Sequence, residues 1–334
     1  MRNYQVNVKH FATLIVLLSL VILLSLSLGY TNSSLRDIFD LLVGQIDQAS
    51  SFIIIQIRLP RILVCLLGGA SLALAGVLLQ TLTKNALADS GILGINAGAG
   101  LAIAIIIGSL HTSALEIINF LPLLAMFGGI ATILLVYGIS LKKNRGINPT
   151  RLIIAGVGVS SMLSGIMVSV ISSSDDNQMD YIISWLSGEI TGNDWATLSL
   201  FAPALLVIWC LTFSRSKSLN IMNLNEQTAL ALGLNLQKER LITLILATAL
   251  ASISVVLVGN ITFIGLLAGH IAKGWLGSQH QISLPAAMLI GMILLTSADT
   301  IARVLLVGTG IPTGIIVSII GAPYFLYLMI SLEK

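Results

Sequence analysis

Long apolar runs separated by short polar segments dominate this chain. A helix needs about 20 apolar residues to cross the hydrocarbon core. Runs near that length lie at 11–29, 59–80, 93–109, 120–141, 152–171, 196–213, 241–259, 284–301 and 313–330. A shorter piece, Ile261 to Ile271, holds two glycines and a histidine. Counted as a span it makes ten; read as a re-entrant hairpin it puts Arg303 and the C-terminus on opposite sides from that count. The pattern predicts a single all-α polytopic domain over 1–334, with a polar segment at 214–240 between two spans.

Composition agrees with the pattern. Of 334 residues, 56% are hydrophobic and 9% charged, against roughly 25% charged in soluble domains. The chain is therefore an integral membrane protein in contact with lipid. Its first apolar run is longer than the h-region of a signal peptide, and no small-residue cleavage site follows, so it reads as a retained span. Cys65 and Cys210 sit in apolar runs far apart and read as buried small hydrophobes rather than a disulfide.

Charge placement gives an orientation. With the N-terminus inside and ten crossings, Arg2, Lys9, Lys84, Lys142, Lys143, Arg145, Arg151, Arg215, Lys217, Lys238, Arg240, Lys273 and Lys334 fall inside. Only Arg36, Arg58, Arg61 and Arg303 fall outside, with most of the acids, including Asp37, Asp40, Glu116, Glu189 and Asp299. Positive residues favour cytoplasmic loops, so both termini are expected there. Glycine clusters at 68–76, 91–100 and 156–165 predict close helix packing.

Enzyme chemistry finds no support. No G-x-x-x-x-G-K-[ST] phosphate loop occurs, nor an H-E-x-x-H helix, nor a G-x-S-x-G turn. The four histidines lack metal-ligand spacing, and no basic tract interleaved with aromatics suggests nucleic acid. No cofactor or metal site is expected. An ion-driven transporter, the rival class, wants an acid deep in the membrane. Asp89, Glu189 and Asp299 each read as lying in a loop or at a span end, and Asp299 reads as a local i,i+4 partner of Arg303.

The stretch LNEQTALALGLNLQKERL, Leu224 to Leu241, is polar and helix-forming. Asn225 suits an N-cap, Gly233 a C-terminal stop, and Asn235 the cap of the next helix. A helix this short cannot fold alone, so it must rest on the protein or fit a partner.

NEQTALALG, GNITFIGLLAGHIAK, LLTSADTIARVLL and GIPTGIIVSIIGAPYFLYL resemble, in order and spacing, the FecCD-type permeases of ABC importers for ferric siderophores, haem and cobalamin. IRLPRILVCLLGGASLALAGVLLQTLTKNALADSGILGINAGAG (57–100), TRLIIAGVGVS (150–160) and WLSGEITGNDW (185–195) extend the resemblance over about 11–330. It implies the type II importer permease fold in a bacterial cell membrane and transport without catalysis by this chain. It also implies two copies of a cytoplasmic ATP-binding subunit, a second permease, identical or paralogous, and an extracytoplasmic substrate-binding protein. By resemblance, Glu226, Ala229, Leu230, Leu232 and Gly233 belong to a coupling helix seated in the ATPase. Arg58, Arg61 and Arg303 match arginines that dock the binding protein. The fifth and tenth spans would line the path, with Ser160 and Ser164 on the fifth and the loop Asn148–Arg151, including Pro149 and Thr150, at an inner gate. The cargo implied is an iron–siderophore, with haem or cobalamin as alternatives. One departure is Gly269 where the family carries proline before His270; a looser helix break is expected there, with His270 structural.

Overall fold

A computed structural model of the chain describes residues 2–28, 35–43, 47–109, 120–142, 146–190, 194–305 and 311–332. Glu116, Lys143, Arg145, Lys334 and residues 191–193 lie outside the described residues. In chain order the helices are α1 (Arg2–Ser27), α2 (Leu35–Val43), α3 (Gln48–Phe52), α4 (Leu59–Thr83), α5 (Ile95–Ser109) and α6 (Leu121–Ser140). They continue as α7 (Pro149–Ser172), α8 (Asp176–Leu186), α9 (Trp195–Ser214), α10 (Ser216–Asn223), α11 (Glu226–Ala231) and α12 (Leu236–Val258). The last three are α13 (Ile264–Leu276), α14 (His280–Leu305) and α15 (Thr313–Leu332). A two-residue ribbon, β1 (Leu141–Lys142) with β2 (Gly146–Ile147), joins α6 to α7.

Eight helices among the described residues are long and apolar enough to cross a membrane. The shorter α5 and α13 bring the bundle to ten. One helix runs unbroken from Gln48 to Thr83, through a π-helical turn at Ile53–Arg58. Pro60 explains that turn: it offers no N–H to the carbonyl one turn back, and the ladder shifts register, with the Leu59 N–H donating to the Ile54 carbonyl.

The buried helix α4 is the axis of the fold, packed against α12, α13 and α14. A second group, α5, α6 and α7, joins it mainly through α6 and α12. Glycine sets the closest approaches. A Cβ on Gly69 would stand 2.4 Å from the Gly291 carbonyl oxygen, and one on Gly128 would stand 2.3 Å from that of Gly98. The clusters at 68–76 and 91–100 thus pack as expected. The cluster at 156–165 divides: Gly156 abuts Leu93, while Gly158 and Gly165 meet nothing and lie on the open face of α7.

Helix α13 is a single helix, not a hairpin, and runs beside α4 in the same direction. A Cβ on Gly265 would meet the Gly76 backbone, and Lys273 donates to Gln80 Oε1 at 2.9 Å. It passes through Gly269 and His270 without a break, correcting the expectation there; the Gln80 amide fills the place of a Gly269 side chain, 2.9 Å from a built Cβ. The break lies earlier, at Gly259–Phe263, where Gly259 and Phe263 both have positive φ. His270 packs edge-on against Tyr324. Both cysteines are free, Cys65 buried as expected but Cys210 exposed on the outward side of α9.

Candidate functional site

The polar stretch folds locally as its sequence dictates. Asn225 Oδ1 accepts from the Thr228 N–H at 2.7 Å and starts α11. Gly233 ends it at φ +79°, where the Gly233 N–H donates to the Leu230 carbonyl and the Leu234 N–H to the Ala229 carbonyl. This is the left-handed C-terminal motif that favours glycine. Asn235 then caps α12 through the Lys238 N–H, 3.1 Å away. Ala229 is fully buried, whereas Leu230 and Leu232 are 59% and 58% exposed. Lys84 Nζ donates to the Leu224 carbonyl at 2.5 Å, and Arg240 forms an ion pair with Glu226. The helix is thus anchored from behind and apolar in front. The Arg240 guanidinium holds the Glu226 carboxyl below the ordinary glutamate range.

At the opposite end of the bundle, Asp299 joins two of the three arginines singled out by resemblance, Arg61 and Arg303. Its carboxylate is fully buried inside α14 and bonds more than Arg303, correcting the local-pair expectation. Asp299 Oδ1 accepts from Arg61 Nε at 3.0 Å, with the Arg61 terminal nitrogen 2.9 Å away, and from Thr313 Oγ1 at 3.1 Å. Asp299 Oδ2 accepts from Arg303 Nε at 2.9 Å. Arg303 also donates to Ser25 Oγ at 2.7 Å, and Arg58 donates to the Leu26 carbonyl. Two of the arginines therefore grip the C-terminal end of α1, where cations are favoured by the helix dipole. Arg58, at 5% exposure, is buried rather than displayed.

Between these ends lies a cavity of about 450 Å³ lined by Asp89, Asn96, Ser160, Ser164, Asn260 and Phe325, among others. It joins Ser160 and Ser164 of α7 to α15, the two helices read as path-lining. Ser160 Oγ is already committed to the Gly156 carbonyl at 2.7 Å. Asn96 is 5% exposed, with neither side-chain polar atom partnered among the described residues. Asp89 is buried, and its Oδ2 accepts the Phe263 N–H at 3.1 Å at the start of α13. Asp89 lies in the loop between α4 and α5 and Asp299 near the end of α14, as expected, but both are buried. Pro149 and Thr150 are not in a loop but in the first turn of α7, because Asn148 caps that helix through the Arg151 N–H at 3.0 Å.

Over the cavity three glycines knot separate segments together. The Gly314 N–H donates to the Gly188 carbonyl at 3.1 Å, and a Cβ on Gly259 would stand 2.5 Å from the Glu189 carbonyl oxygen. Asn96, Asn260, Arg240 and this knot escaped the sequence reading. Arg240 stood there only as one of the inside charges, and the polar residues at 96 and 260 carry no spacing that singles them out.

The FecCD transport family model matches residues 17–331. The chain belongs to that family. It is 36% identical over 324 residues to the iron(3+)-hydroxamate import system permease protein FhuG of Bacillus subtilis (strain 168), covering 96% of each chain. It is 33% identical over 282 residues to the Fe(3+) dicitrate transport system permease protein FecD of Escherichia coli (strain K12), covering 84% of this chain and 86% of that one. The hemin transport system permease protein HmuU of Yersinia pestis is 32% identical over 326 residues, with 95% and 94% covered. Among solved structures, a metal-chelate type ABC transporter in an inward-facing conformation superimposes with a TM-score of 0.82 at 29% identity, covering 97% of this chain and 99% of that one. This FecCD-family protein is thus a multi-pass membrane protein of a transport family.

Proposed function

We propose that this chain forms half of the membrane channel of a ferric-chelate importer, paired with a second permease, identical or paralogous, and driven by two copies of a cytoplasmic ATP-binding subunit. The observation that carries the reading is α11: braced by Lys84 and Arg240, it turns Leu230 and Leu232 outward with no described segment of the chain to cover them. A braced helix with an apolar front suits a partner's groove. An extracytoplasmic binding protein would deliver cargo to the end bearing Arg58, Arg61 and Arg303, with both termini in the cytoplasm. The hydroxamate, citrate and haem named for relatives make a metal chelate the substrate class, with iron–siderophore first. No cofactor is required of this chain.

An ion-coupled mechanism draws on Asp89 and Asp299, yet both carboxylates are engaged, one by a helix N-terminus and one by two guanidinium groups. The deciding experiment is purification from the native membrane in mild detergent, with accompanying chains identified by mass spectrometry. An ATP-binding subunit and a permease partner are the expected companions. A lone chain that moves solute down an ion gradient in liposomes overturns the proposal.

A further inference from the structure

Arg240 lies between the start of α11 and the entry of α7. It stands in the first turns of α12, 6% exposed, and its guanidinium reaches two segments that are remote in sequence. One terminal nitrogen pairs with Glu226, the first residue of α11. The other donates to the Ile147 carbonyl at 3.2 Å. Ile147 is buried, ends the β ribbon, and immediately precedes Asn148, the residue that caps α7. The neighbouring pair, Arg215 with Glu239 at 2.6 Å, makes no such reach towards α7.

We infer that Arg240 is the positioning residue that ties α11 to the entry of α7, so that displacement of the short helix is delivered to the turn bearing Pro149 and Thr150. The planar guanidinium is suited to this, because its fork presents separate donors to a carboxylate and a carbonyl at once. A buried charge also resists losing either acceptor, since the Arg240 side chain is 7% exposed and an unpaired buried charge is costly. Glu226 and Ile147 are thereby held at a fixed spacing. Ile147 in turn is locked by its pairing with Leu141 and its seat in the core, so it cannot yield without moving the start of α7. The inference rests on the reading of α11 as the ATPase contact.

The test uses the assembled transporter, with spin labels at Thr150 and at Gly274 on α13 in a Cys210→Ser background. The label separation is measured before and after ATP with vanadate, alongside ATP hydrolysis and co-purification of the ATPase. In R240K the ammonium keeps the Glu226 contact but surrenders the Ile147 carbonyl. Assembly and hydrolysis are expected to persist, while the population of labels that shifts on trapping falls at least about fivefold. R240M should lose the shift altogether; should it fail to assemble, R240K still decides. An R240K transporter whose labels shift as in the unaltered protein overturns the inference while leaving the role of α11 intact. If the unaltered chain recruits no ATPase, the reading of α11 falls, and the tie through Arg240 falls with it.

Discussion

Gly76 and Gly265 meet backbone to backbone: a Cβ on Gly76 would stand 2.4 Å from the Gly265 Cα. In lipid, such approaches replace the hydrophobic effect as the force between helices. Gly76→Ala should therefore lower thermal stability in nanodiscs, by about 1–3 kcal/mol for overpacking. Gly158→Ala, on the open face of α7, should stay within about 0.5 kcal/mol. Equal unfolding temperatures for the two variants contradict this account of the bundle.

The turn after α11 separates two effects that a single bulky substitution mixes. Gly233 has room for a side chain but lies at φ +79°, so Gly233→Ala should cost about 1 kcal/mol through backbone strain alone. Gly233→Arg adds steric bulk to that strain and cannot tell docking from folding. Leu230→Asp and Leu232→Asp are cleaner, both side chains being exposed. They should leave unfolding of the isolated subunit unchanged and reduce ATPase co-purification at least about tenfold; undiminished recovery of the ATPase counts against α11 as its seat.

Among the described residues, Asp299 is the carboxylate that bridges Arg61 and Arg303. Asp299→Asn should destabilise this end of the bundle by about 2–3 kcal/mol, below the full cost of breaking a buried pair because both arginines retain some solvent. In a double-mutant cycle, Asp299→Asn with Arg61→Gln should lose less than the sum of the single changes. Strict additivity means the contacts at 2.9–3.0 Å carry no coupling.

Glu226 offers a pH test whose sign is fixed. Its folded pKa is depressed, first by the hydrogen bond from Arg240. The contact therefore stabilises above the ordinary glutamate range and is lost as pH falls through the lowered folded value. A spin label at Thr228 should be immobile at neutral pH and gain mobility only below the usual carboxylate range, with the transition absent in Glu226→Gln. Mobility that changes near neutrality points to another group.

The legible parts of this protein are those governed by local rules. Asn225, Gly233 and Asn235 mark the ends of α11 and the start of α12 because caps and left-handed turns are decided within a few residues. Partner choice is not local. Asp299 pairs with Arg303 one turn away, as expected, but also with Arg61, 238 residues distant in sequence, where only the crossing of α4 and α14 brings them together. Glycine content was likewise ambiguous, since the clusters at 68–76 and 156–165 look alike and one packs while the other largely faces outward. The break before α13 was hidden for a further reason. Phe263 takes a left-handed conformation that its residue type does not favour, held by the Asp89 carboxylate from another loop.

The brevity of α13 bears on the membrane as an insulator. Thirteen residues give a helix about 20 Å long, against a hydrocarbon layer of about 30 Å. Beside the contacts of Gly188, Gly259 and Gly314 lies the cavity in which Asp89, Asn96 and Asn260 stand among apolar side chains. The short helix leaves about 10 Å of that layer to the segment 259–263 and its glycine contacts, so peptide groups stand where a full-length span would present apolar side chains.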